Sequence, residues 1–191
     1  MNKINNSFSL GNKNYSNSDF YFIAEIGHNH QGKLDKAKEM FLVAKRAGAD
    51  AVKLQKRDNK KLYTKSFFNE KYDNRNSYAE TYGLHREALE FGIEEYKELK
   101  NFANDIGIDF FATPFDLNSV NILAKLDMPA YKLASADLKN TILQIEVAKQ
   151  NKPVILSTGG GNLDDVKRAV ENISKFNSNL ACLLYTSPSP R

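Results

Sequence analysis

The sequence predicts an α/β protein: a parallel (β/α)8 TIM barrel, incomplete, with about six of its eight strand–helix units present. Three observations predict it. Short apolar runs alternate with amphipathic helical patterns six times along the chain. Most of the connections between them are short, which calls for parallel strands with helical crossovers. Five successive apolar runs end in polar residues, as they do where a barrel builds its site at the C-terminal rim of its strands.

The elements follow in order. Residues 1–19, rich in Asn and Ser, are expected to form a leader or a small hairpin around Gly11. Phe20 to Ile26 reads as the first strand. Leu34, Ala37, Met40, Phe41, Ala44 and Ala47 recur at three- and four-residue steps and mark one face of a helix, which Gly48 is placed to end. Ala51 to Gln55 is the second strand. After the long polar stretch from Arg57 to Phe91, Glu94 to Ile106 is a helix closed by Gly107, and Ile108 to Ala112 is the third strand. Asp116, a plausible N-cap, opens a helix to Leu126. Strands over Ala130–Ala134, Pro153–Leu156 and Leu180–Leu184 alternate with helices over Thr141–Gln150 and Asp164–Phe176. A doubly wound open sheet shares this alternation, but no GxGxxG follows the first strand. The glycine-rich Gly159-Gly160-Gly161 follows the fifth strand instead.

Composition narrows the function classes. The 191 residues are 41% hydrophobic and 26% charged, ordinary for a globular domain. The net charge of +4 comes from lysines spread along the chain, not from a basic stripe, so no nucleic-acid partner is expected. The single cysteine, Cys182, rules out an internal disulfide and is read as a buried thiol in a reducing compartment. No apolar run approaches membrane-spanning length, so no membrane partner is expected and the location is read as cytoplasmic.

The strand ends carry the chemistry. They present Glu25, then Gly27-His28-Asn29-His30; Lys53 and Gln55; Thr113 to Asp116; Lys132, Ser135 and Asp137; and Ser157-Thr158 with three glycines. Strand parity puts Val52 and Leu54 on one face and Lys53 and Gln55 on the other, toward the barrel interior. A buried ammonium is costly without an opposite charge. Lys53 and Lys132, near hydroxyls and a glycine turn whose N–H groups lead into a helix, suggest a pocket for a carboxylate or phosphate. The alternatives are that both lysines snorkel outward or pair with Glu25 and Asp137, or that one forms a Schiff base. His28 and His30 resemble a metal pair, but loop histidines more often bond the backbone and no Cys or Glu cluster accompanies them. His85 is read as loop structure or a substrate contact. The tyrosines of residues 57–91 are read as packing or as a sugar-facing lid.

At these residues the chain resembles the sialic acid synthases, N-acetylneuraminate synthase and its relatives. The motifs are AEIGHNHQG (Ala24–Gly32), AGADAVKLQK (Ala47–Lys56), YGLHREALEF (Tyr82–Phe91), FFATPFD (Phe110–Asp116), YKLASADLKN (Tyr131–Asn140) and ILSTGGG (Ile155–Gly161). The resemblance implies a synthase that condenses phosphoenolpyruvate with N-acetylmannosamine or a related amino sugar and releases phosphate. Pseudaminic or legionaminic acid synthesis by the same chemistry, or a binding-only barrel without turnover, are the alternatives. By motif position Lys53, Thr113, Lys132, Ser135 and Ser157 resemble the phosphoenolpyruvate-binding set. Gln55 and Asp137 resemble sugar-side contacts, with Asp137 also assigned to catalysis, and Glu25 resembles the central catalytic acid. The family is similar in using a divalent metal, manganese or magnesium, whose ligands are expected beyond this chain. It is also expected to form homodimers and to carry a C-terminal antifreeze-like domain absent here.

The chain departs from the family pattern in three places. Alanines stand at Ala134 and Ala136 and an aspartate at Asp137, where the family often carries glycines and a glutamate, and Gly160 replaces a methionine. Residues 20–184 are thus expected to be a partial synthase barrel and 185–191 a non-native or truncated tail, with this length of chain inactive by itself.

Overall fold

The computed structural model describes residues 8–10, 13–16 and 19–183. In chain order the elements are β1 (Phe8–Leu10), β2 (Lys13–Tyr15), β3 (Ile23–Gly27), α1 (Leu34–Arg46), β4 (Ala51–Lys56), α2 (Asn59–Leu62), α3 (Lys65–Phe68), α4 (Tyr82–Glu87), α5 (Ile93–Ile106), β5 (Asp109–Pro114), α6 (Leu117–Lys125), β6 (Tyr131–Leu133), a 3-10 turn (Ser135–Asp137), α7 (Thr141–Ala148), β7 (Val154–Ser157), α8 (Leu163–Ser174) and β8 (Leu180–Leu183). They form two compact units, one from Tyr21 to Asp127 and one from the two chain ends, Met1–Phe20 with Met128–Arg191. The expected turn at Gly11 and the expected tail at 185–191 lie outside the described residues.

In the continuous unit β3, β4 and β5 run parallel in that order, with α1 and α5 as crossovers. β4 is buried on both faces: Ala51, Val52, Lys53 and Leu54 are all but inaccessible. That is the signature of a strand covered on both sides. Helix α1 turns Ala37 and Phe41 inward, and α5 turns Tyr96, Leu99 and Ala103 inward. Phe41 and Tyr96 close on Phe110 of β5 at ring separations of 5.1 and 5.8 Å. Each such buried side chain contributes roughly 1.5–3 kcal/mol of transfer free energy. Helix α5 ends on Gly107 at φ 68°, a left-handed position that glycine takes without strain. Asp116 caps α6 by accepting from Ser119 N at 2.7 Å, as the sequence suggested.

Residues 57–91 are the main departure from expectation. Instead of an irregular loop they hold the three short helices α2, α3 and α4. These are one or two turns long, too short for a helical period to show in sequence. They are held by capping, with Asp58, Thr64 and Thr81 accepting at each N-terminus. They are also held by a ring cluster in which Tyr82 meets Tyr63, Phe67 and Tyr72 at 5.3, 4.6 and 5.3 Å. Gly83 lies flat on the Phe68 ring, where a Cβ would sit 2.2 Å from its carbons.

In the unit of the chain ends, β6, β7 and β8 run parallel in that order, with α7 and α8 as crossovers. Helix α8 opens with a capping box between Asn162 and Asp165. β1 and β2 pair antiparallel. Asn179 ties this hairpin to the approach of β8, accepting from Ser9 N at 3.1 Å and donating to Ser9 O at 2.7 Å. Cys182, expected to be buried, is exposed. It lies on β8, whose only strand partner among the described residues is β7.

The loop after β3 shows what a buried histidine does here. His30 is sealed from solvent, stacks on Phe91 at 4.1 Å and accepts from Gly32 N through Nδ1 at 3.1 Å. That bond requires an unprotonated Nδ1. Burial, reinforced by nearby His28, lowers the pKa of His30 from 6.5 to about 4. The unfolded chain therefore takes up a proton at a higher pH than the folded one. Stability contributed by neutral His30 is present above pH 6.5 and is lost as the pH falls toward about 4. Urea unfolding of the full-length protein across that range should show this slope, and His30→Gln should flatten it. An equal slope in the variant would refute the assignment.

Candidate anion-binding site

β-strand register builds the first half of the candidate site. Glu25 of β3 stands opposite Lys53 of β4, Lys53 opposite Phe111 of β5, and Gln55 opposite Thr113. Residues opposite one another, or two apart on one strand, share a face. Glu25, Lys53, Gln55 and Thr113 are therefore on one side. Lys53 Nζ lies 2.7 Å from Glu25 Oε2 and donates to Thr113 Oγ1 at 3.1 Å. The ammonium is buried, with 2% of its side chain accessible, whereas 55% of the Glu25 side chain is open to solvent. Of the readings left open by the sequence, pairing with Glu25 is the one observed, and outward snorkelling is not. The pair is asymmetric: a fixed, dry cation faces a carboxylate that can swing into water.

Beyond Gln55 lies a network that the sequence analysis did not single out. Arg57 donates to Gln55 Oε1 at 2.8 Å and stacks on the Phe115 ring at 3.8 Å. Glu90, just past α4, is its hub. Its Oε2 lies 3.2 Å from Lys56 Nζ, and its Oε1 lies 3.1 Å from His28 Nε2 and 3.9 Å from Arg57. Arg86 NH2 meets His28 Nδ1 at 3.3 Å. This pattern assigns the proton of a neutral His28 to Nε2, donating to Glu90, and leaves Nδ1 to accept from Arg86. Burial, reinforced by Arg57 and Arg86, lowers the His28 pKa although Glu90 opposes the shift. Burial raises that of Glu90, but His28 and Lys56 outweigh it and hold the carboxyl below its usual value. Burial and the neighbouring Arg86 lower that of Arg57. Two sequence signals pointed here without being used: the Lys56-Arg57 pair at the end of β4, and the Arg86 and Glu90 positions within YGLHREALEF.

His85 is a packed residue of α4. It is buried among Tyr72, Tyr78 and Tyr82 and accepts from Tyr78 N at 3.2 Å. The tyrosines pack on one another, as one of the two readings had it.

The unit of the chain ends places the remaining candidates. Lys132 stands opposite Ile155 on β7, so parity puts Lys132 and Ser157 on one face. Lys132 is half-buried and Ser157 buried. Ser135 and Asp137 lie on the 3-10 turn after β6, where Asp137 Oδ1 accepts from Asn140 Nδ2 at 3.2 Å. The glycine turn lies against this segment: a Cβ on Gly160 would come within 2.0 Å of the Ser135 carbonyl oxygen. The helix end beyond it is already supplied with an anion. Asp165 accepts from Asn162 N at 3.1 Å and pairs with Arg168 and Lys139 at 2.6 and 3.3 Å. Backbone hydrogen bonding at Asn162, then Arg168, lowers its pKa. The N–H of Asn162 at the start of α8 is thus satisfied within the chain.

The residues present do not suit a divalent cation. No group of three or more His, Cys, Asp or Glu side chains among the described residues can hold a metal ion. His28 is engaged by Glu90 and Arg86, and His30 by Gly32 and Phe91. No described helix is long and apolar enough to cross a membrane.

Comparison with known proteins places this geometry in a family. The chain is 36% identical over 170 residues to N-acetylneuraminate-9-phosphate synthase of Mus musculus, an alignment covering 89% of this chain and 47% of that protein. It is 34% identical to N,N'-diacetyllegionaminic acid synthase of Legionella pneumophila, covering 83% of this chain and 45% of the relative. It thus spans about half the length of the curated relatives it matches. A crystal structure of N-acetylneuraminic acid synthetase from Leptospira borgpetersenii, in complex with citrate, superposes with a TM-score of 0.80 at 28% identity, covering 97% of this chain and 61% of that one. A truncated 3-deoxy-D-arabino-heptulosonate 7-phosphate synthase from Thermotoga maritima, at 14% identity and a TM-score of 0.63, shares the fold alone. The fold class is the expected α/β partial barrel. The NeuB family model matches residues 40–190, and the chain belongs to the NeuB family.

Proposed function

We propose that this chain is part of a synthase that condenses phosphoenolpyruvate with N-acetylmannosamine or a related amino sugar, forming a carbon–carbon bond and then releasing phosphate. The observation that carries the reading is the buried Lys53 ammonium, bonded to Thr113 and to a solvent-accessible Glu25. A dry cation whose counter-charge can leave is suited to take an incoming anion. Desolvated, it holds that anion more strongly than a surface lysine does. The citrate complex of the Leptospira relative supports an anion site in this fold.

Lys53 and Thr113, with Lys132, Ser135 and Ser157, are the proposed phosphoenolpyruvate-binding residues. Gln55 and Asp137 are proposed for the sugar, with Asp137 sharing in catalysis. Glu25, released from Lys53 when the anion binds, is the proposed central acid. The same chemistry on a legionaminic- or pseudaminic-type acceptor is the second reading, favoured by relatives of those names at 34% and 31% identity.

Phosphate release from phosphoenolpyruvate, followed with the full-length protein and a panel of N-acetylated hexosamines, tests the reading. Release without any hexosamine dependence would sink it. Lys53→Met should lower kcat/KM for phosphoenolpyruvate by roughly a hundredfold or more, the size expected for losing a buried charge-assisted contact. Gly160→Ala forces the turn off the Ser135 carbonyl. It should raise KM for phosphoenolpyruvate by about tenfold with a smaller change in kcat, and an unchanged KM would remove the turn from the site.

A further inference from the structure

Helix α7 carries an amide on its buried face. Gln144 is sealed from solvent there, beside Leu143, Val147 and Ala148. A buried amide is costly unless its polar atoms find partners. Both polar atoms of Gln144 do. Nε2 donates to two successive carbonyl oxygens, Asp137 O at 3.0 Å and Leu138 O at 2.7 Å. Oε1 accepts from Asn172 Nδ2 of α8 at 3.3 Å, and the same Nδ2 meets Thr141 Oγ1 at 3.3 Å. The flipped amide would turn Oε1 onto two carbonyl oxygens, so the network fixes its orientation.

Those two carbonyls stand where the 3-10 turn of Ser135–Asp137 gives way to α7. An aliphatic side chain at this position would fill the same space and need no partner, so packing alone does not require an amide. What the amide adds is a fixed reach from α7 to the far end of the turn. The near end is held by other means. Leu138 N donates to Ser135 O at 3.2 Å, and Gly160 lies against the same carbonyl. At the far end Asn140 N joins Gln144 on Asp137 O, at 2.9 Å, and Asn140 Nδ2 reaches Asp137 Oδ1 at 3.2 Å. The peptide groups that follow Asp137 are therefore pinned by Gln144. The direction in which the Asp137 side chain leaves the backbone follows from them.

We propose that Gln144, oriented by Asn172, is a positioning residue that aims the Asp137 carboxylate at the acceptor sugar. The proposal rests on the synthase reading and adds to it a residue that touches no substrate. Steady-state kinetics of the full-length protein test it. Gln144→Met keeps a side chain of similar length and removes both donated bonds. It should lower kcat about tenfold and raise KM for the amino sugar about threefold, with KM for phosphoenolpyruvate changed less than about twofold. Asn172→Ala should lower kcat about threefold, and the double variant should match Gln144→Met alone, because Asn172 acts through the amide. A lower Tm with kcat and both KM values unchanged overturns the proposal, and so does an equal rise in both KM values. If Gln144→Met does not fold, Asn172→Ala decides alone, and an unchanged kcat overturns the proposal. Failure of the synthase reading shows separately, as absent phosphate release from phosphoenolpyruvate by the unaltered protein.

Discussion

The continuous unit is organised around an ammonium group that water scarcely reaches. A lysine inside a strand covered on both faces can remain charged only if acceptors are built around it. Register meets that requirement: Glu25 stands directly across on β3, and Thr113 is one pleat further along β5. The apolar residues of the same strand do the complementary work. Val52 and Leu54 alternate with Lys53 and are fully buried, so the chain cannot slip by one residue without driving the charge into the apolar layer. The candidate site and the strand register are thus fixed by one arrangement.

Around this core the polar groups differ in how firmly they are held. Lys53 is confined by its strand, whereas Glu25 is largely exposed. His28, Arg57 and Glu90 are each held by several partners, and their pKa displacements record a balance between burial and neighbouring charge. The short helices α2 to α4 supply two of the members, Arg86 from α4 and Glu90 just after it. Their ring cluster and caps therefore position charge as well as cover surface.

Much of the fold could be read from the chain because parallel strands and crossover helices have a strong period. Ala51 to Gln55 and the helical face from Leu34 to Ala47 are examples. The Lys53–Glu25 contact was legible as one of several readings, because parity fixes which residues share a face but not what a lysine will touch. Glu90 and Arg86 were not legible as site residues. They reach His28 only after some sixty residues have folded back, a separation no local pattern encodes. His30 shows the opposite limit: the sequence favoured a backbone-bonded loop histidine over a metal ligand, but its stacking on Phe91 could not be read there. Cys182 misled because an apolar run was taken for a covered strand.

The clasp between Ser9 and Asn179 has a consequence for how the chain comes into being. The continuous unit is built from residues 21–127, which leave the ribosome as one uninterrupted stretch. The hairpin emerges well before its binding partner, which is made 170 residues later. At a ribosomal pace of about 5–20 residues per second, that is a wait on the order of ten seconds or longer. The earlier-made half of this clasp therefore waits for the later one, and the order of synthesis is not the order of assembly.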